Sequence, residues 1–270
     1  MNDKEKYKNF YESVKRFVLD TKLSFEDEIM GETPYEIEKF EKDYQVKLPS
    51  SIYNYLLLFG KQNRVRKTEL EQFFTLSTMK KATEIAIKGN YKEILNTKEG
   101  LQDYNGDDGD IKLVHQLIDL NKLVFINQSD FRDGIGFVDY AYENPNIHYL
   151  FQKEYYWSEN KSITNYFRDL MFLAIQTRFY SDSEDTTNYT SSMLQSWDET
   201  QKLSLYKLSW AKLYVDNKDF FYRTQNHYRK HRLDFYEFIN KQEEKTGYIM
   251  TIDEFEWAFI DYLRKQGYEF

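Results

Sequence analysis

Residues 33–60, TPYEIEKFEKDYQVKLPSSIYNYLLLFG, read as two short helices meeting at a proline corner. Thr33 is placed to accept the amide of Glu36 while Glu36 reaches back to Thr33, and Pro34 fills the first helical position, where a missing N–H does no harm. Ile37, Phe40 and Tyr44 then recur at helical spacing on one side, with Glu36, Glu38, Lys39 and Lys42 turned to water. Val46 and Leu48 carry the apolar pattern through an extended connection. Pro49 keeps the first helix from running on, and Ser50 or Ser51 can cap the second. Ile52, Tyr55, Leu56 and Phe59 form the second apolar face, and Gly60 stands where a left-handed closing residue is wanted.

This stretch resembles the entry motif of the SUKH superfamily: an amphipathic helix carrying Phe-Glu, a Leu-Pro corner, and an aromatic-rich second helix closed by glycine. The matching residues are Ile37, Phe40, Glu41, Leu48, Pro49, Tyr53, Leu56, Leu57 and Gly60. Phe59 departs from the pattern, since many members carry Asn there. The resemblance implies an α+β fold with an antiparallel or mixed central sheet flanked by helices. It also implies kinship with bacterial immunity proteins, which bind and neutralise toxins, many of them nucleases. Fungal cell-wall regulators are cousins in the same superfamily.

Composition narrows the function classes. The 270 residues suit one large domain or a domain with an extension, and 24 Tyr and 21 Phe make the expected core strongly aromatic. A net charge of −8 disfavours general affinity for nucleic acid or anionic lipid and permits a basic protein partner. With no cysteine, a disulfide framework, a thiol nucleophile and a thiolate zinc site are excluded. The start, MNDKEKYKNF, lacks the apolar core of a secretory signal, and no apolar run approaches the ~18 residues a membrane span needs. A cytoplasmic protein is expected.

Working outward, residues 4–23 place Tyr7, Phe10, Val14 and Phe17 at helical spacing. They read as an amphipathic helix serving either the core or a partner. Gln72–Leu76 reads as a short strand, and Ser77 or Thr78 opens a helix through about Leu95 with Ala82, Ile85, Ala86 and Tyr91 facing inward. The sheet is expected between Asp110 and Leu150. Its strands are Ile111–Val114, Leu123–Ile126, Ile135–Tyr140 and Ile147–Leu150, paired antiparallel in order through turns at Asp133-Gly134 and Glu143-Asn144-Pro145-Asn146. Residues 123–140, LVFINQSDFRDGIGFVDY, also resemble the family's hairpin, in which the second strand ends in Asp, here Asp139. Ser162 caps a helix whose face is Ile163, Phe167, Leu170, Met171, Ala174 and Ile175.

The expected organisation is a SUKH-like domain over 1–180, a linker or surface excursion over 181–198, and a helical C-terminal extension over 199–270. In the extension, 199–215, 218–229 and 233–244 have helical spacing. A second capping box, Thr251 with Glu254, opens a last helix bearing Phe255, Ala258, Phe259, Tyr262 and Leu263, with Gly267 past its end.

Several constellations bear on chemistry. Glu99, Asp103, Asp107, Asp108 and Asp110 form the most acidic stretch. An EF-hand register fails on it: from Asp103 the sixth and twelfth positions are Asp108 and Val114, and from Leu101 the first ligand is missing. An improvised calcium site, a solvated turn and a surface that steers a basic partner remain open for this stretch. His227 and His231 have the spacing of two zinc ligands on a helix. However, Tyr228 replaces the glutamate of a zinc protease, and Arg229, Lys230 and Arg232 would repel a cation, so a solvent-facing basic helix is the plainer reading. Tyr222 and Tyr228 could serve nucleic-acid stacking, against the overall charge. No nucleophile elbow, phosphate-cradling loop or H-E-x-x-H occurs. Glu41 is either a general base or an acceptor for backbone amides freed at the start of the next helix.

The expectation is therefore a non-enzymatic, protein-binding immunity protein without cofactor or metal, acting on a basic toxin domain and not on nucleic acid or membrane. Glu99–Asp110, with Asp130 and Asp133 of the hairpin turn, are the expected partner-binding residues. Phe40, Glu41, Leu48, Pro49, Tyr53 and Gly60 are the expected structural motif. A regulatory or scaffolding protein on the same fold is the alternative, and a hydrolase using Glu41 is a third reading.

Overall fold

The computed structural model describes residues 6–64, 74–96, 102–103, 122–129, 134–151, 155–181, 204, 207–217 and 225–269. In chain order the elements are α1 (Lys8–Asp20), β1 (Ile29–Met30), α2 (Pro34–Tyr44), α3 (Ser50–Phe59), β2 (Gln62–Asn63), α4 (Leu76–Lys88), α5 (Tyr91–Asn96) and β3 (Gln102–Asp103). There follow β4 (Leu123–Ser129), β5 (Gly134–Asp139), β6 (Asn146–Phe151), β7 (Tyr155–Ser162), α6 (Ile163–Ser181), α7 (Ser209–Asp216), α8 (Gln225–Thr246) and α9 (Ile252–Lys265). The class is mixed α+β.

The helix pair forms, and its ends differ in detail from expectation. The Thr33 hydroxyl accepts the Glu36 amide at 3.2 Å, which is the first half of the expected capping box. α2 ends at Tyr44, well before Pro49, because Gln45 adopts a left-handed conformation (φ 53°). The Gln45 amide then reaches the Lys42 carbonyl and the Val46 amide the Glu41 carbonyl, a complete Schellman closure without glycine. Neither Ser50 nor Ser51 is the cap of α3; Pro49 holds that position. Gly60 is right-handed (φ −70°), so its role is clearance: a Cβ there would lie 2.5 Å from the Leu56 carbonyl oxygen. Gly31 is tighter still, since its Cβ would come within 1.7 Å of the Leu57 oxygen. These two glycines let β1 and the following turn lie directly on the last turn of α3, where the Glu32 amide donates to the Leu56 carbonyl at 2.9 Å.

The main sheet has the order β3-β7-β6-β5-β4, antiparallel throughout except for a parallel β3–β7 pair. The hairpin β4–β5 and its partner β6 appear where the β-branched runs place them. β7 is a strand the sequence pattern does not announce, because its second half, Ser158-Glu159-Asn160-Lys161-Ser162, lacks apolar alternation. The expected strand at 111–114 lies outside the described residues. Residues 74–76, the described part of the expected strand at 72–76, lead straight into α4, with Thr75 and Thr78 forming a capping box. The helix expected to reach Leu95 is broken at Gly89-Asn90, where Asn90 takes φ 54°.

Alternation along the strands buries both faces. Leu123, Phe125, Ile135, Phe137 and Leu150 pack with Ala82, Ala86, Tyr91 and Leu95 of α4 and α5. Val124, Ile126, Val138, Ile147 and Tyr149 face the larger core, built by α1, α2, α3 and α6 and joined by α7, α8 and α9. Phe40, Leu48 and Leu56 lie together in that core, as do Tyr7, Phe10, Val14 and Phe17, so the α1 stripe is interior packing. Ile163, Phe167, Leu170, Met171 and Ile175 of α6 are buried as expected.

The C-terminal helices dock on the rest. The two expected stretches at 218–229 and 233–244 contribute to one continuous helix, α8, since no Gly or Pro interrupts residues 225–246. The Ile252 amide at the start of α9 donates to Ser13 Oγ of α1 at 3.0 Å. The capping box of Thr251 and Glu254 is complete, and Gly267 is left-handed at φ 89°.

Candidate functional site

Of the residues expected to meet a partner, Glu99, Asp107, Asp108, Asp110, Asp130 and Asp133 lie outside the described residues. Asp103 is in β3, its backbone paired with Tyr156 at the sheet edge. The structural motif is clearer. Glu41, half-buried on α2, accepts the Leu48 amide on Oε1 at 2.7 Å and so pins the corner. The free amides of α3 are met from further away: Ser50 donates to Glu143 Oε2 at 3.0 Å and Ser51 to the Glu143 carbonyl at 3.1 Å. Glu143 sits in the β5–β6 turn, so one residue both closes the hairpin region and caps the second motif helix.

The expectation of a solvent-facing basic helix fails at Arg232, which is 3% exposed. Its guanidinium meets both oxygens of Glu256, at 2.6 and 3.0 Å, and Asp169 at 3.2 Å, with the Phe172 ring 4.5 Å away. Burial tends to raise the Asp169 carboxyl, but Lys161 and Arg232, with bonds from Lys161 and Tyr236, hold it below the usual carboxylate value. His231 Nε2 lies 2.9 Å from the Tyr268 hydroxyl, its ring packed edge-on to Tyr262 and Tyr268. The side chain of His227 is outside the described residues. Among the described residues no cluster of three or more His, Asp or Glu could hold a metal ion.

A different set of residues converges on a cleft of about 320 Å³ where β5 ends, β6 begins and β7 ends. Asp139, Tyr142, Asn144, Asn146, His148 and Ser162 line its sheet side. Lys6 and Tyr7 lie before α1, and Asn240, Glu243, Glu244 and Ile249 come from α8 and the loop after it. The volume is at the small end of the ~300–1,000 Å³ usual for ligand pockets.

A continuous hydrogen-bonded chain fixes the walls. Asn144 Nδ2 donates to Thr164 Oγ1 at 2.7 Å, and Asn240 Oδ1 accepts from Asn165 at 2.9 Å and from Ser162 at 3.4 Å. Arg168, fully buried on α6, donates to Asn165 at 2.7 Å, Glu243 Oε1 at 2.6 Å and the Met250 carbonyl at 2.8 Å. Its guanidinium lies 4.6 Å from the Phe255 ring centre and 5.1 Å from that of Phe10. Glu243 Oε1 also accepts the Met250 amide at 2.9 Å, whereas Glu243 Oε2 is buried without a donor.

The cleft is electronegative. Burial, together with nearby Glu143, Glu243 and Glu244, raises the Tyr7 hydroxyl well above its ordinary value, so it remains a neutral donor. Burial lowers His148 from 6.5 to about 4 despite the opposing effect of Asp139, so near neutral pH its ring is uncharged. Asp139 itself turns back to accept the Ala141 amide at 2.8 Å.

The sequence reads Asp139 as a strand end, Tyr7 as part of a stripe serving the core or a partner, and Asn144-Pro145-Asn146 as a turn, and it carries no signal for His148, Asn240, Glu243 or Glu244. They belong to segments that meet only when α8 closes over the hairpin. What the fold and cleft define is a mixed α+β protein with a polar, acid-lined cleft braced by a buried arginine. No family model, curated protein or solved structure matches the chain. No helix among the described residues is long and apolar enough to cross a membrane.

Proposed function

We propose that this chain is a non-enzymatic immunity protein that neutralises a toxin in the bacterial cytoplasm by binding it directly. The partner surface is basic, matched to the chain's net charge of −8. The observation that carries this reading is the bond from the Leu48 amide to Glu41 Oε1. It supports an architectural role for the carboxylate most readily named as a base, within the segment that resembles SUKH immunity proteins. Function then falls to surfaces, with the acidic cleft facing outward beside Tyr142, which is 62% exposed.

The test is co-expression with the product of the neighbouring reading frame. That product alone should arrest growth, and this chain should restore growth and co-purify with it in stoichiometric amount. A harmless neighbour, or rescue without complex formation, would move the chain to the regulatory or scaffolding alternative on the same fold.

A further inference from the structure

The acid-lined cleft holds an unfilled requirement for a donor, and its shape and charge identify the donor's chemistry. Glu243 is 4% exposed, and its Oε1 is consumed by Arg168 and the Met250 amide. Its other oxygen, Oε2, has no donor, although a buried carboxylate oxygen ordinarily finds one. Glu244 and Asp139 bring two more carboxylates to the same lining, so three carboxylates stand against Lys6 and the Arg168 guanidinium behind Glu243. Lys6 is engaged at the rim, its ammonium 5.6 Å from the centre of the Tyr7 ring. His148 and Tyr7 do not oppose a cation, since the imidazole is neutral and the Tyr7 hydroxyl stays protonated.

We propose that the cleft is the receptor for one arginine side chain projecting from the protein partner, with Glu243 Oε2 and Glu244 taking its guanidinium and Tyr142 covering its stem. The proposal rests on the binding reading above and gives it a specific anchor. A guanidinium suits the site better than an ammonium. It is planar, presents donors in a fork to carboxylates and amide oxygens such as those of Asn144 and Asn146, and sheds its hydration more readily on entering a cleft. An arginine in a walled pocket beside an exposed tyrosine is also the residue combination that concentrates binding energy at protein interfaces. The rigid polar chain through Asn144, Thr164, Asn165, Arg168 and Asn240 keeps the receptor formed before binding, so little ordering opposes entry.

The test uses the full chain and three short capped peptides, Gly-Arg-Gly, Gly-Lys-Gly and Gly-citrulline-Gly, followed by amide chemical shifts in low-salt buffer. The arginine peptide should bind saturably and shift resonances of Tyr7, Asn144, His148 and Glu244. The lysine peptide should bind more weakly, and the neutral citrulline peptide at least roughly tenfold more weakly. Glu244→Gln, at an exposed position, should weaken the arginine peptide several-fold, and Glu243→Gln should weaken it further.

If Glu243→Gln fails to fold, Glu244→Gln and Tyr142→Ala decide alone. Equal binding of arginine and citrulline peptides, shifts confined to residues away from the cleft, or affinity unchanged in the folded variants would overturn the proposal. Because the peptides read the cleft without any toxin, their failure would leave the neutralisation reading standing on its own co-expression test.

Discussion

Glu143 caps a helix far from it in sequence: its Oε2 accepts the Ser50 amide at 3.0 Å, and its carbonyl accepts that of Ser51. The first turn of α3 therefore depends on the β5–β6 turn and not on its own serines. Glu143→Ala should cost about 1–2 kcal/mol, as loss of a charged helix cap does, while Ser50→Ala should cost much less. Urea unfolding of the two variants measures the difference, and equal losses would mean that the serine is the cap after all.

Glu41 spans the corner to Leu48, so its removal should appear as stability. Glu41→Ala should lower the unfolding free energy by about 1–3 kcal/mol, and Glu41→Gln, which retains an acceptor, by less. In the co-expression assay, neutralisation by the folded Gln variant should persist. Loss of neutralisation with unchanged stability would return Glu41 to a functional role.

Gly31 has no room for a side chain, because a Cβ would overlap the Leu57 carbonyl oxygen at 1.7 Å. Gly31→Ala must push β1 and the start of α2 off the end of α3, at a cost of about 3 kcal/mol or more. Gly247→Ala offers a comparison with open space but left-handed backbone (φ 70°), and should cost about 1 kcal/mol. Thermal unfolding of the pair separates crowding from backbone strain.

Arg232 and Glu256 are both buried and bonded twice, so removing one strands the other. Glu256→Ala should cost about 3–5 kcal/mol, whereas replacing both by methionine should cost less than either single change. A double-mutant cycle in urea reads the coupling. Purely additive losses would show that the pair packs side by side without electrostatic dependence.

His148 makes stability depend on pH. Its folded-state value, about 4, lies below its ordinary 6.5, so between these values the unfolded chain takes up a proton that the folded chain does not. Its contribution is present above pH 6.5 and is lost as pH falls toward 4, by about 3 kcal/mol at most. His148→Gln should flatten this part of the stability profile. An unchanged profile would place the acid sensitivity elsewhere, with Asp169 the next group to test at lower pH.

How much of this was legible depended on the range of the interactions. Phe40, Leu48 and Leu56 could be placed in one core because the period of each helix and the corner between them are local properties. The box at Thr251 and Glu254 was readable for the same reason. Arg168 and Arg232 were not, since a mid-helix arginine reads as a wet face unless its partners are known, and Glu243 and Glu256 lie on other helices. The cleft was hidden more deeply still. Tyr7, His148 and Glu243 come together only through the docking of α8, and none departs from the pattern of its own neighbourhood.

The bond from Ile252 to Ser13 ties the last helix to the first. During synthesis α3 and α6, which pack on α1, emerge well before α9, so α9 is the last element to complete that packing. Shortening the chain just before Thr251 would leave the part of α1 that faces α9 uncovered, and exposed hydrophobic surface of that kind is a target for chaperones and proteases. Cellular abundance of this protein should therefore depend on whether α9 is in place.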